Sequence, residues 1–177
     1  MNQDIGRAIV FSMPVVSAAV SLILISLDTT RSSNTVDRKI HYNMIAVYCL
    51  MILFWSGLVM HSIARDTFIA YLPVFFSSFA FIPVFLYRIT HIITDTGERK
   101  LFPACHFILP ACLTLIICAI ALAVPLRQRW AAIYDNEVNL TSAIIDITFI
   151  VCILLCILYS WLSLLRIKSY KRKIIDY

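Results

Sequence analysis

The sequence predicts an all-α integral membrane protein, a helical bundle with about five transmembrane helices. Apolar residues make up 61% of the 177-residue chain and charged residues only 14%, whereas about 25% is typical of soluble domains. The apolar residues form long continuous blocks, unlike the alternating strands of a membrane β-barrel. Because a helix satisfies its own backbone hydrogen bonds, such blocks cross a bilayer as helices. We therefore expect residues 1–177 to form one transmembrane bundle.

Five blocks reach the roughly 20 apolar residues that a helix needs to cross the hydrocarbon core. They cover residues 8–27, 40–63, 67–87, 107–124 and 143–165. The first block is longer than the roughly 7–15-residue core of a signal peptide, and no small-residue cleavage site follows it, so we expect a retained helix. The polar segments 28–39, 88–106 and 125–139 are predicted to be loops.

The second and third blocks are separated only by Ala64, Arg65 and Asp66, which predicts an antiparallel pair of neighbouring helices. Asp66 is placed to cap the start of the third helix. Pro73 and Pro83 lie within the third block. Since proline removes a backbone hydrogen bond, they predict a bent helix there.

Lysine and arginine are distributed unevenly between the two ends of the predicted bundle. One end carries four, namely Arg7, Arg65, Arg127 and Arg129. The other end carries eleven, namely Arg31, Arg38, Lys39, Arg88, Arg99, Lys100, Arg166, Lys168, Lys171, Arg172 and Lys173. The positive-inside rule then places the C-terminus in the cytoplasm and the N-terminus outside. In so apolar a chain, these charges favour lipid headgroups over nucleic acid as the binding partner.

The fifth block is followed by a basic juxtamembrane tail, residues 166–177. Its five positive side chains are Arg166, Lys168, Lys171, Arg172 and Lys173. Each can contribute about 1 kcal/mol of attraction to an anionic leaflet. Two interpretations stay open: the tail is an anchor for the fifth helix, or it is a helical joint that relays a signal to a cytoplasmic partner.

Asp146 is the one acidic residue close to the core of a predicted span. It lies eight residues from the middle of the fifth block, which is about 12 Å along a helix and close to the interface. An intramembrane carboxylate can mark an ion or proton path, but the sequence offers no second intramembrane charge. The other interpretation is a solvated or locally paired carboxylate.

The sequence predicts no metal site and no cofactor. Cys152 and Cys156 share a helix face, but no CxxC pair occurs among the six cysteines and the four histidines show no ligand spacing. Only three glycines occur, which disfavours Gly-rich cofactor loops. The motifs of P-loop enzymes, serine hydrolases and zinc proteases are absent from the sequence, so we expect that the protein is not an enzyme.

Three short segments, Tyr71–Pro73, Phe81–Arg88 and His106–Pro110, together form one pattern along the chain. Proline and tyrosine stand near the end of one span, a charged loop follows, and His-x-x-x-Pro opens the next. This pattern resembles the membrane region of bacterial membrane-anchored AraC-type helix-turn-helix regulators. The tail segment Ser169–Tyr177 resembles the joint that leads into their cytoplasmic part, and the likeness covers roughly residues 40–177.

The resemblance implies a sensory or anchoring module of a bacterial inner membrane. It would couple a membrane or extracytoplasmic signal to a cytoplasmic regulator, as in a membrane-bound transcriptional regulator that is truncated. The sequence ends at Tyr177, where the DNA-binding domain of that family would follow, so we expect no direct nucleic-acid binding by this chain. The expected partners are the lipid bilayer and either a cytoplasmic regulator or further copies of the chain. Asp146 and the proline-containing spans favour an alternative, a small transporter or a transporter subunit.

Overall fold

The computed structural model describes residues 2–31, 35–94, 102–135 and 139–175, and these ranges contain helices and no strand. The helices are α1 Asn2–Arg31, α2 Thr35–Ile63, α3 Arg65–Ile93, a 3-10 turn Ala104–Phe107, α4 Ile108–Ala123, α5 Leu126–Tyr134 and α6 Leu140–Ile175. Five of them (α4 taken together with its preceding turn) are long and apolar enough to cross a membrane. The prediction of an all-α chain with five such helices is therefore confirmed.

Four of the five long helices, all but α4, extend beyond their apolar blocks (α2 only at its start), so the helices take up part of the predicted loops. α1 and α2 include most of the predicted 28–39 loop, and α3 runs on to Ile93. The predicted loop at 125–139 is wrong over most of its length, because α5 forms there. Pro125 occupies the N-cap position of α5, where its carbonyl accepts the amides of Gln128 and Arg129 at 3.0 and 3.2 Å.

The start of α3 differs from the sequence prediction as well. Its N-cap position is Ala64, and no side chain caps the helix there. Asp66 lies instead in the first turn, where its carboxylate interacts favourably with the positive end of the helix dipole. Ala64 alone separates α2 from α3, so these helices form the expected antiparallel pair.

The helices run alternately up and down, which gives the bundle two ends. We call the end with the start of α1, the α2–α3 turn, α5 and the start of α6 the N-terminal face. We call the other end, with the α3 terminus and the end of α6, the C-terminal face. α3 is the most buried helix and packs on α2, α4, α5 and α6, whereas α1 is the least buried and packs mainly on α2.

Aromatic side chains of α3 fill the centre of the bundle. Phe75 is buried and stacks on Phe54 of α2 with ring centroids 5.1 Å apart. The two helices approach closely at Gly57, where an added Cβ would lie 2.6 Å from Phe75 Cδ2. The large exposed apolar side chains of α1, α4 and α6 point away from this core, as expected for surfaces that contact lipid.

α6 begins at a reciprocal cap and then runs without a break. The Ser142 amide donates to Asn139 Oδ1 at 2.9 Å, and the Asn139 amide donates to Ser142 Oγ at 3.0 Å. Such paired bonds satisfy amide groups that a helix start leaves free. At 36 residues the helix is about 54 Å long, well beyond the roughly 30 Å hydrocarbon core. Its last turns, Arg166–Ile175, are named the arm.

Candidate functional site

A lateral groove opens near the N-terminal face, between α2 and α6. α3 forms its floor, since α3 packs on both helices while α2 and α6 are not among the principal contacting pairs. Its volume is about 220 Å³, and its lining residues are Leu58, His61, Phe68, Leu72, Phe75, Phe76, Ile133, Ile145, Asp146 and Phe149. Eight of these ten residues are apolar, so the groove is hydrophobic, with two polar side chains, His61 and Asp146, on its walls.

Asp146 stands on the α6 wall of this groove and is exposed. His61 stands on the α2 wall, with its ring edge-on to Phe68 at 5.0 Å and stacked on Tyr134 at 5.4 Å. Within the described part of the chain, no hydrogen bond or ion pair engages the Asp146 carboxylate, His61 included. The groove therefore presents an unpaired carboxylate beside aromatic rings.

The rim above the groove is formed by α5 and the start of α3. The Arg65 guanidinium lies 5.1 Å from the centre of the Tyr134 ring, a cation–π distance. The Tyr134 hydroxyl is buried and has no hydrogen-bond partner among the described residues. Burial raises the pKa of this phenol above its ordinary value, an effect that Arg65 opposes and Asp66 reinforces. The hydroxyl thus stays protonated and keeps an unused donor.

Behind the rim, α5 is fixed to α3 by a buried arginine. Arg129 is only 6% exposed, and its Nη1 donates to the Ile69 carbonyl while its Nε donates to the Val124 carbonyl, both at 3.1 Å. In an α-helix the Ile69 carbonyl would accept the amide of residue 73, but Pro73 has no N–H. Arg129 supplies the missing donor, so α3 remains one helix through Pro73.

A second group of polar and aromatic residues lies at the C-terminal face. His106 Nδ1 is 3.1 Å from the Tyr159 hydroxyl, which in turn lies 3.3 Å from the His106 carbonyl oxygen. In an α-helix that carbonyl would accept the amide of residue 110, four residues later, but Pro110 has no N–H. One arrangement satisfies both contacts: the Nδ1–H donates to the hydroxyl and the hydroxyl donates to the carbonyl. α6 is thereby bonded to the 3-10 turn that precedes α4.

The same face holds Arg88 and His91 of α3. The Arg88 guanidinium lies 5.9 Å from the ring centres of Phe102 and Phe107. His91 is buried and meets Phe102 edge-on at 5.6 Å. These contacts surround the last turns of α3 with aromatic rings, so the end of α3 has a fixed position in the bundle.

The arm is tied to α3 at its first residue. Arg166 Nε donates to Thr94 Oγ1 at 2.7 Å, and the Thr94 hydroxyl donates to the Thr90 carbonyl at 2.7 Å. Arg166 is half-buried, whereas Lys168, Lys171, Arg172 and Lys173 are exposed. The predicted basic residues therefore divide into one that packs on the bundle and four that project beyond it.

No cluster of three or more His, Cys, Asp or Glu side chains that could hold a metal ion occurs within residues 2–31, 35–94, 102–135 and 139–175. All six cysteines have free thiols. Cys152 faces the core, where it packs as a small apolar side chain.

The structure places the predicted site residues at opposite ends of α6 rather than in one site. Asp146 lies in the second turn, and the basic residues form the arm. Sequence reasoning missed Arg129, His61 and Tyr159. The sequence does contain a signal for Arg129 and Tyr159. Pro73 and Pro110 each leave a carbonyl four residues earlier without its helical donor, and each carbonyl therefore needs a donor from elsewhere. Residues 95–101 of the predicted 88–106 loop, Arg99 and Lys100 among them, lie outside the described residues.

Comparison with known proteins gives no match to a protein-family model, to a curated protein or to a solved structure.

Proposed function

We propose that this chain is a sensory module of a bacterial inner membrane, with the N-terminus outside and the C-terminus in the cytoplasm. A change at the groove shifts α6, and the arm presents that shift to a cytoplasmic regulator. The orientation is supported by the uneven distribution of lysine and arginine in the sequence, eleven on the side predicted to be cytoplasmic against four on the other. The regulatory role is in keeping with the resemblance to membrane-anchored AraC-type regulators, and the arm takes the place of their joint.

One observation carries the proposal: a single unbroken helix, α6, connects the two polar regions. Asp146 lies on the groove wall in its second turn, and Arg166–Ile175 project from the opposite face. Packed helices move as stiff bodies, so a displacement at one end is transmitted to the other. At the C-terminal face α6 is held by the hydrogen bonds of Tyr159 and Arg166 and by the packing of the Tyr159 ring on Tyr87 at 5.6 Å.

The proposal is tested by filling the groove and measuring where the arm goes. Spin labels at Thr35 and Ile174 report the distance between α2 and the arm in a nanodisc, using a chain whose six cysteines are changed to alanine. Phe149→Trp enlarges a groove-lining side chain. We expect it to shift the mean label distance by about 1–2 Å, the usual size of a helix shift.

The matched control is Leu122→Trp, which adds the same side chain at a lipid-facing position of α4 that is 90% exposed. It should leave the distance distribution unchanged. Equal distributions for Phe149→Trp and the unmodified chain, with both proteins folded, would remove the relay role.

A transport function is the second candidate, and the exposed carboxylate of Asp146 in the groove favours it. Proline-broken helices are a feature of transporter binding sites, but α3 here is continuous and Arg129 occupies the carbonyl freed by Pro73. Solute flux into liposomes decides between the two. A transporter requires flux that falls on Asp146→Asn, whereas a sensory module shows the same background leak with and without the substitution.

A further inference from the structure

We propose that the groove binds an outer-leaflet phospholipid whose headgroup carries a protonated primary amine, with the ammonium on Asp146 and an acyl chain along the floor of α3. This assignment rests on the proposed function and names the ligand of its groove. It goes beyond a general affinity for lipid, because it selects one headgroup chemistry.

The shape of the groove favours a hydrocarbon chain. Its volume of about 220 Å³ is below the roughly 300–1,000 Å³ of pockets that hold drug-sized ligands. The floor consists of Phe68, Leu72, Phe75 and Phe76, all buried and apolar. Since α2 and α6 stand side by side on α3, the groove opens sideways towards the lipid phase, from which a chain can enter without crossing water.

The charge on the wall selects the headgroup. Asp146 is an exposed carboxylate, and no cation or donor in the described ranges pairs with it. His61 on the facing wall makes no ion pair with this carboxylate, and two arginines of the rim are engaged elsewhere: Arg129 bonds two backbone carbonyls, and Arg65 lies on the Tyr134 ring. A carboxylate at a membrane interface is stabilised by a partner of opposite charge. An ammonium supplies the charge and the N–H donors together.

Position and neighbours agree with this headgroup. Asp146 lies six residues, or about 9 Å, from the first residue of α6, near the level of lipid headgroups. Phe149 and Phe76 line the groove beside it, and aromatic faces attract a cation by about 0.5–2 kcal/mol. An anionic headgroup would meet repulsion from Asp146. A trimethylated amine would keep the cation–π contact but lose the N–H donors.

The test is native mass spectrometry of the whole chain released from nanodiscs that contain equal amounts of three lipids with identical acyl chains. The lipids are phosphatidylethanolamine, phosphatidylcholine and phosphatidylglycerol. We expect one retained lipid per chain and a preference for phosphatidylethanolamine of about 10-fold over phosphatidylglycerol, the factor that corresponds to about 1.4 kcal/mol. Asp146→Asn should abolish the preference while Asp37→Asn, an exposed carboxylate at the other face, keeps it.

Three results would overturn the assignment: equal retention of the three lipids, a preference that survives Asp146→Asn, or a dimer in which a second copy covers the groove. The label distance between Thr35 and Ile174 separates this proposal from the sensory one. If the lipid preference is found but the distance is the same with and without phosphatidylethanolamine, the ligand assignment stands and the relay fails. If Phe149→Trp moves the arm but no lipid is preferred, the relay stands and the ligand assignment fails.

Discussion

At the scale of single residues, the prolines of the spans are accommodated by donors from other helices. Pro73 leaves the Ile69 carbonyl without its helical partner, and Arg129 of α5 donates to it from a buried position. Pro110 likewise leaves the His106 carbonyl without a helical partner, and the Tyr159 hydroxyl of α6 donates to that carbonyl. A carbonyl buried away from water has no other donor, so each of these bonds removes a cost of about 1–3 kcal/mol. They also fix the position of α5 and α6 against the bundle.

We therefore expect the effects of Arg129 and Pro73 on the free energy of unfolding to be coupled. Arg129→Met removes the donor, and we expect it to lower the free energy of unfolding in detergent by about 1–3 kcal/mol. In a Pro73→Ala background the new amide serves Ile69, so the same substitution should have a smaller effect. We expect a coupling of about 0.6–1.7 kcal/mol, which lies between the average and the largest value measured for interhelical hydrogen bonds in a membrane protein. An identical loss in both backgrounds would show that Arg129 does not act on the freed carbonyl.

The close approach of α2 and α3 at Gly57 gives a second residue-scale prediction. A methyl group there would lie 2.6 Å from Phe75 Cδ2, and the Phe75 ring is held by Phe54, Phe68 and Phe76. Gly57→Ala should therefore reduce stability by about 1–3 kcal/mol through overpacking. Gly6→Ala is the matched control, since Gly6 is also helical but has nothing within 4 Å of an added Cβ. Thermal unfolding in detergent should show a lower midpoint for Gly57→Ala and an equal or higher one for Gly6→Ala.

Sequence reasoning found some of these residues and not others, for a physical reason. Asp146 is visible because an acid in an apolar block stands out. Arg129 was counted only as a charge in a loop, because its role depends on a carbonyl 60 residues away. His61 and Phe149 face the same groove only after α2 and α6 have packed on α3. Periodicity within a single helix contains no information about such packing.

At the scale of elements, α6 is the part of the chain that differs most from a simple span. The sequence divides it into an apolar block, 143–165, and a basic tail, but the helix continues across that boundary to Ile175. Lysine and arginine have high helix propensity, and residues Arg166–Lys173 include neither glycine nor proline. Propensity thus accounts for the arm once the span provides a helix to extend. α5 was missed because nine residues are too few for a clear apolar period.

The contact between Arg166 and Thr94 should hold the base of the arm. Thr94→Val removes the acceptor hydroxyl and keeps the size of the side chain, and a hydrogen bond of this kind contributes about 1 kcal/mol. We expect tryptic cleavage at Arg172 and Lys173 to become about 5-fold faster, because cleavage follows the open population of the arm. Thr90→Val is the control, since the Thr90 hydroxyl bonds the Leu86 carbonyl of its own helix and no other helix among the described residues. Equal cleavage rates for both variants would mean that the arm is held by other contacts.

At the scale of the whole molecule, the bundle is built around α3 and has two different faces. The N-terminal face carries the groove and its rim, and the C-terminal face carries the His106–Tyr159 contact and the arm. α1 lies at the edge and leaves most of its apolar surface exposed, so it adds little to the core. A rigid helix that joins two such faces is the feature that a sensory module requires and a passive anchor does not.

The proposed orientation is testable on the whole chain in bacterial cells. With the native cysteines changed to alanine, single cysteines replace Asp135 on the N-terminal face and Ser169 on the arm, both exposed positions. An impermeant maleimide should label Asp135→Cys in cells with a permeabilised outer membrane, and Ser169→Cys only after the inner membrane is opened. Changing Lys168, Lys171, Arg172 and Lys173 to glutamine removes four of the eleven positive charges that the sequence assigns to the cytoplasmic side and leaves seven against four. The labelling should therefore stay the same, because the loops keep the bias. The opposite labelling would place the groove in the cytoplasmic leaflet, and an outside signal could then not reach Asp146.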